Sequence, residues 1–389
     1  WYHNRGHFDF QIMRRLARQM PVLFVNSIAV RMPSVTGDRM FVERIQRKLK
    51  SLARGVVNVE NQFWVFSPVR VPGSIGESLS SWALVPQIQL AARRAGIERP
   101  LLWIVCPPGA ALIGEMNERA VVLQRTDRFE AFPEADPTVI GRQMQMLMER
   151  ADLVVYAAPH LEAEERHSVK RTLLLTHGVD FERFAAAGMG VDAEPADAAA
   201  LERPRIGFIG GIDAHTFDPE LFLATARAMP DCRFMMVGAT SLPEGWCTLS
   251  NVSFLGRKPY EEVAGYMAAA DVLIMPWNDS DWIKACNPIK LKEYLATGRP
   301  IVSTYFHALD AYRDLVRVAE GPEAFAAAIR AALTEPYDAE AARARVAAES
   351  WDAKAWTLAQ VLASLEVGSR ETARTATPAS SPAKVAVNG

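Results

Sequence analysis

Apolar runs alternate with amphipathic helical stretches through both halves of this 389-residue chain. A small-residue, acidic, proline-bearing segment separates the halves. Together these features predict an α/β protein of two Rossmann-like βαβ domains facing each other across a cleft. The length suits two cores better than one.

The first domain is expected over residues 1–185. Strands are read at VLFVNS (22–27), VVNVENQFWVFSP (56–68), LLWIVCP (101–107), AVVLQRTD (120–127), DLVVYAAP (152–159) and RTLLLTHG (171–178). Helical patterns lie between several of them, notably at 86–96 and 137–151. Residues 7–20 read as a helix with no strand-length run ahead of it. A first strand is therefore expected upstream of Trp1, outside this chain. Residues 39–55 read as a basic amphipathic helix, with Phe41, Ile45, Leu49 and Leu52 spaced by three or four.

Residues 186–204 read as a linker. The second domain is expected over 205–350, with strands at 205–211, 232–239, 252–256, 271–276, 299–304 and 315–320. Helices are expected near 218–229, 259–269, 288–298, 322–333 and 338–349. Residues 351–367 read as a last amphipathic helix, and 369–389 as a disordered tail. No internal repeat is apparent.

The net charge of −2 gives no global argument for nucleic acid. Residues 1–54 nevertheless carry eleven Lys/Arg against three Asp/Glu. The basic helix could rest on an anionic membrane surface or simply pack with a solvated face. The four cysteines are scattered without a metal-binding spacing, so reduced thiols are expected and a structural zinc site is not. No apolar run approaches the roughly 18 residues of a membrane span. The expected place is the cytoplasm, at most touching the inner face of the cell membrane.

The chemistry concentrates in NPIKLKEYLATGRPIVST, residues 287–304. Asn287 is a good N-cap, and Pro288 suits the first helical position. The first-turn N–H groups and the helix dipole would then favour a phosphate. Lys290 and Glu293 share one face, with Leu291, Tyr294 and Leu295 opposite. Glu293 stands about 7.5 Å along the axis from Pro288 at the helical rise, roughly the reach from a diphosphate to its ribose. Gly298 should end the helix and Pro300 should keep it from resuming. The plain alternative is a solvated Lys–Glu pair. The preceding buried strand favours the ligand reading, because open α/β sheets bind ligands beyond the carboxyl ends of their strands.

Other candidates are weaker. GFIGG (207–211) misses the G-x-G-x-x-G register, so a dinucleotide site is disfavoured. Gly210 and Gly211 could let the backbone approach a phosphate, or simply make a tight turn. Arg257 and Lys258, in a loop after a strand, could help with phosphate or be solvated. Asp127, just past a buried strand, could deprotonate an acceptor hydroxyl or cap a turn. His3, Asn4, Arg5 and His7 could meet an acceptor or the donor phosphate. Gly178 is expected to take an unusual backbone angle at a hinge. His177 is a minor catalytic candidate.

Taken together, Glu293-Tyr-Leu-Ala-Thr-Gly298-Arg-Pro300-Ile-Val, Gly178-Val-Asp180 with Phe184, and Asn251-Val to Gly256 resemble the two-domain GT-B glycosyltransferases. The resemblance is to glycosyltransferase family 4 and its relatives and spans nearly the whole chain. It is closest to bacterial enzymes of surface-polysaccharide assembly of the teichuronic acid type, at Trp1 to Leu16, around Asp127 and at Asn287 to Thr304. It implies that Glu293 binds the donor ribose, with Lys290 and the Gly210–Gly211 loop near the diphosphate. It also implies that the final helix crosses back onto the first domain. Two positions depart from the pattern. Ala285 stands where family 4 usually has a second glutamate, and His177 where it has an asparagine before Gly-Val-Asp. The first departure leaves room for an inverting mechanism with Asp127 as base, as in the related xanthan glucuronosyltransferases.

The expected activity is metal-independent transfer of a sugar from a UDP- or GDP-linked donor to a saccharide or lipid-linked acceptor. No separate cofactor is expected and no nucleic-acid partner. The alternatives are a non-hydrolysing nucleotide-sugar epimerase on the same architecture and a non-catalytic nucleotide-sugar-binding protein.

Overall fold

A computed structural model describes residues 8–26, 55–68, 74–126, 128–131, 137–191 and 193–375. The candidates His3, Asn4, Arg5, His7 and Asp127 lie outside these residues, as does all but the last residue of the basic stretch 39–55.

The first domain opens with α1 (Phe8–Leu16) and β1 (Val22–Val25). Residues 56–68 do not form one strand but a hairpin of β2 (Val57–Glu60) and β3 (Phe63–Phe66). The turn is possible because Asn61 takes a φ of 49°, a left-handed conformation asparagine tolerates. Helix α2 (Ser74–Arg94) begins well before the expected residue 86 and runs through Pro86. Then come β4 (Leu101–Ile104), β5 (Ala120–Arg125), α3 (Pro137–Arg150), β6 (Leu153–Tyr156), α4 (Pro159–Glu165) and β7 (Thr172–Leu174).

These strands form two separate sheets, ordered β1-β3-β2 and β4-β5-β6-β7. Every pairing is parallel except β2 with β3.

Helix α5 (Phe181–Gly188) leads into the second domain. The stretch after it is not simply extended: a one-turn helix covers Ala196–Ala199, and Ala198 is fully buried. The second domain continues with β8 (Arg205–Ile209), α6 (Pro219–Ala228), β9 (Arg233–Val237), β10 (Val252–Gly256), α7 (Tyr260–Ala269) and β11 (Val272–Met275). It ends with α8 (Asp281–Ala285), α9 (Ile289–Thr297), β12 (Ile301–Ser303), β13 (Val316–Val318), α10 (Pro322–Thr334) and α11 (Ala339–Ala347). Its six strands form one all-parallel sheet, ordered β10-β9-β8-β11-β12-β13. Strand β8 is buried at all five positions, because helices cover both faces.

The last helix, α12 (Trp351–Thr375), runs past the expected end at 367 into the stretch read as a tail. It packs on the first domain. Trp351, Leu358 and Leu362 share a core with Phe8, Ile12, Leu16 and Val122. The two chain crossings lie side by side, with the Val179 N–H donating to Glu349 O at 3.0 Å. Gly178 there has no left-handed φ. It is required instead by close approach: a Cβ would stand 2.7 Å from the Trp351 ring.

Candidate active site

Helix α9 is built as its sequence requires. Leu291, Tyr294 and Leu295 are buried. The Tyr294 hydroxyl receives the Ile209 N–H at 2.9 Å, which ties α9 to the carboxyl end of β8. Gly298 ends the helix with φ 68°, and a Cβ there would meet the Arg343 guanidinium.

The helix start differs from expectation. Pro288, not Asn287, is the cap residue, with φ −73° and ψ 132°. The Asn287 side chain instead donates to Ala157 O at 2.9 Å, across to the first domain. Ala157 directly follows β6. Ile289 packs against the first-domain core. The amino end of α9 therefore sits at the carboxyl edge of the first domain's sheet, where α/β sheets bind ligands.

Lys290 Nζ holds Glu293 Oε2 at 2.7 Å. Lys290 is 31 % exposed and Glu293 only 1 %. The carboxylate is therefore buried and paired with its own lysine rather than open in the crevice. The two charges neutralise each other. Close to Glu293 lies Tyr260, whose phenol is raised far above its ordinary pKa by burial first, then by Glu293 and Asp180. The Arg183 guanidinium lies 5.4 Å from the Tyr260 ring centre. The loop of residues 257–259 thus leads directly into the surroundings of Glu293.

The remaining candidates separate. The Gly210 N–H extends the sheet to Val237 O at 2.9 Å. Gly238 must be glycine because a Cβ there would fall 1.7 Å from Gly210 O. Gly211 is exposed at the tip of the loop. Arg257 is exposed. Lys258 is not free for phosphate: Asp197 holds its ammonium at 2.5 Å and it lies 5.0 Å from the Tyr266 ring centre. The hydrogen bond to Asp197 raises it above the ordinary lysine range. The His177 ring sits edge-on to Phe8 and Trp351, in a packing role.

Two clusters escaped the sequence reading. Lys292, only 2 % exposed, projects from α9 into the double crossing. It donates to His177 O at 2.6 Å and Thr176 Oγ1 at 3.2 Å, and pairs with Glu349. Lys354 Nζ at 3.2 Å and the Tyr312 hydroxyl at 3.2 Å complete the cluster around Glu349. Burial pushes the Lys292 ammonium down to about 8, against the pull of Glu349, so it stays charged at neutral pH. Burial alone would raise Glu349, but Lys292 and Lys354 outweigh it and hold the carboxyl low. The available signal was position: Lys292 lies three residues before Leu295, on a buried side of the helix.

Lys292→Met should strand Glu349 beside Lys354 alone and cost about 3 kcal/mol, at the low end for breaking a buried pair. That corresponds to a Tm lower by roughly 6–12 °C. A Lys292→Met, Glu349→Leu double variant should recover part of the loss. A single variant melting like the parent would remove the cluster from the account.

The second cluster lies at the carboxyl end of β5. Arg125, 2 % exposed at the end of β5, pairs with Glu130 at 3.0 Å and Glu165 at 2.8 Å. Burial opposes its charge, but the two carboxylates prevail and raise its pKa.

The domains also meet where His160 of α4 stacks on His307, with ring centres 6.1 Å apart and planes 23° from parallel. Burial lowers the His160 pKa, helped by His307 and Arg128 and opposed by Glu164 and Glu165. The His307 ring is held by Lys284 O at 2.7 Å. A depressed histidine favours this contact between the domains when neutral. That contribution is complete above the free value of 6.5 and is lost as pH falls below it. The radius of gyration by X-ray scattering should therefore increase between pH 7.5 and 5.5. His160→Gln should abolish the change.

Among the described residues, no cluster of three or more His, Cys, Asp or Glu could hold a metal ion. None of the described helices is long and apolar enough to cross a membrane.

Residues 203–335, most of the second domain, match the family described as "Glycosyl transferases group 1". Over 236 residues the chain is 28 % identical to TuaH of Bacillus subtilis (strain 168), assigned to teichuronic acid biosynthesis as a glycosyltransferase. That match covers 56 % of this chain and 58 % of the relative, so the similarity spans little more than half of either. Among solved structures, sucrose-phosphate synthase of Thermosynechococcus elongatus superposes with a TM-score of 0.64 at 18 % identity. It covers 90 % of this chain and 100 % of its own. Anabaena Alr3699/HepE, solved with UDP and glucose, gives a TM-score of 0.57 at 14 % identity over 95 % of this chain and 96 % of its own. The fold is the two-domain GT-B architecture expected from the sequence.

Proposed function

We infer, from a chain with the GT-B fold whose second domain matches the group 1 glycosyl transferases, that it transfers a sugar from a nucleoside-diphosphate donor to a hydroxyl acceptor. The observation that carries this reading is the position of α9. Its amino end is held at the first domain by Asn287 and Ala157, with Lys290 and Glu293 on its first turns.

The donor diphosphate would sit at the helix start, where first-turn N–H groups and the dipole meet it. Lys290 would leave Glu293 for the phosphates and stabilise charge developing on the leaving group. The freed Glu293 carboxylate would accept the ribose hydroxyls. One lysine then couples the two halves of nucleotide recognition. Binding only a nucleoside or only a phosphate would leave one charge of the pair uncompensated.

The finer features follow the same reading. The donor base is uracil or guanine, and the helix charge and Lys290 do the work a metal could do elsewhere. No separate cofactor takes part. The acceptor is a saccharide or a lipid-linked acceptor in bacterial cell-surface or exopolysaccharide synthesis, in line with the similarity to TuaH. Acceptor contacts come from the first domain. If transfer inverts the anomeric centre, Asp127 removes the acceptor proton. The basic stretch 39–55 would bring the enzyme to an anionic membrane face.

The test is release of nucleoside diphosphate from a panel of UDP- and GDP-sugars, with and without glycan acceptors. Acceptor-dependent release from one donor class supports transfer. Interconversion of the donor sugar without acceptor would point to an epimerase. Tight binding without turnover across the panel would point to a binding protein.

A further inference from the structure

The amino edge of the second domain's sheet lies opposite the edge used for ligands, and it carries positive charge that the fold does not balance. Arg205 opens β8, Asp271 directly precedes β11, and Arg299 stands two residues before β12. Two carboxylates act on Arg299, those of Asp271 and Glu194. Both are already engaged. Arg203 pairs with each of them. Arg205 donates from its guanidinium to Glu194 at 2.9 Å and from its backbone N–H to Asp271 at 2.7 Å.

Arg299 and Arg343 are left over. Neither makes an ion pair or hydrogen bond among the described residues, and Arg299 Nε is buried. The two are neighbours. Arg343 reaches from α11 onto Gly298, the residue before Arg299, where a Cβ would stand 3.2 Å from Arg343 Cζ. The Tyr337 hydroxyl, within the field of Arg343, is also buried without a partner. Burial holds the Arg299 guanidinium below the ordinary arginine range; Arg203 and Arg343 add to this, and Asp271 and Glu194 oppose it. Unpaired buried donors and adjacent like charges both cost stability. The carboxyl end of α9 offers these arginines only about half a negative charge. Four guanidiniums against two carboxylates leave two positive charges in surplus.

We propose that Arg299 and Arg343, with the Tyr337 hydroxyl, form an anion site distal to the crevice that binds the phosphoryl dianion of a soluble phosphate monoester. The surplus of two charges matches a dianion, whereas a carboxylate would neutralise only one. Guanidinium forks fit phosphate oxygens in pairs, and the phenol supplies a further donor. All three side chains are partly buried, which suits a compact ligand group. The site adjoins the carboxyl end of α9, whose nine residues span about 13.5 Å at the helical rise. It is therefore separate from Lys290 on the first turn. This inference does not depend on the proposed activity.

The test is the Tm of the chain in inorganic phosphate or glucose 6-phosphate at pH 7.5, against sodium chloride of equal ionic strength. At 100 times its Kd the phosphate should raise Tm by about 5 °C. An Arg299→Gln, Arg343→Gln double variant should lose that shift, read against its own Tm in chloride. Tyr337→Phe, a milder change, should weaken phosphate binding by about 10-fold. Lys290→Ala should keep the full shift, which separates this site from the amino end of α9. No shift in the parent, or an equal shift in the parent and the double variant, would overturn the proposal. So would a shift lost in Lys290→Ala and kept in the double variant. Arginine-dependent retention on phosphatidic acid vesicles, with no response to either soluble phosphate, would assign the site to a lipid headgroup and overturn the small-molecule reading.

Discussion

Glu293→Gln is expected to weaken nucleoside-diphosphate binding by about 100- to 1,000-fold. Two ribose hydroxyls bonded to a charged carboxylate contribute about 1.5–3 kcal/mol each, the amide retains part of that, and a net loss of about 3–4 kcal/mol at 1.4 kcal/mol per tenfold gives this range. The amide keeps the shape but loses the charge and one acceptor. The fold should hold, because glutamine fills the same buried site and Lys290, 31 % exposed, can turn to water. Titration calorimetry with UDP and GDP, with Tm as the folding control, checks both halves. Parental affinity in a folded variant would remove Glu293 from nucleotide recognition.

Lys290→Ala is expected to lower kcat by about 100- to 1,000-fold, the usual loss when a charge-stabilising donor is removed. Its signature is selective. The parent should prefer a nucleoside diphosphate over the monophosphate, and the variant should lose most of that preference. Glu293→Gln should weaken both nucleotides together. Measuring the two ligands on the two variants separates the phosphate role from the ribose role. Equal loss on both ligands in Lys290→Ala would mean that the lysine serves only to hold Glu293.

The features legible in the sequence were those set by local chemistry. Gly298 and Pro300 end α9 because one permits the left-handed angle and the other blocks continuation. The apolar spacing of Leu291, Tyr294 and Leu295 identified the buried stripe, and the βα rhythm identified the parallel sheets. What tertiary contact decides was not legible. Asn287 has the chemistry of a cap but finds a better partner in Ala157 O, across the crevice. Lys258 has the chemistry of a phosphate ligand but is taken by Asp197, 61 residues away. Gly178 looked like a backbone-angle requirement and is a clearance for Trp351. Nothing local marks Lys292, because its partner Glu349 is 57 residues away in the chain. The hairpin turn at Asn61 was hidden by the apolar runs on either side.

The buried state of Glu293 bears on how the proposed site would work. An open carboxylate at a helix start would repel an incoming diphosphate. In the proposed donor site, pairing with Lys290 would make it neutral to the approaching anion, and it would become available when the lysine moved to the phosphates. On that proposal the short Lys290–Glu293 spacing would let two residues three positions apart serve ligand groups at different depths.

A crystal structure of the chain bound to UDP or GDP tests the central claim most directly. The account predicts the diphosphate at the amino end of α9, Lys290 Nζ moved from Glu293 to the phosphate oxygens, and the Glu293 carboxylate within hydrogen-bond distance of the ribose hydroxyls. A nucleotide bound elsewhere, or bound here with the 2.7 Å Lys290–Glu293 pair intact and the ribose out of reach, would contradict it.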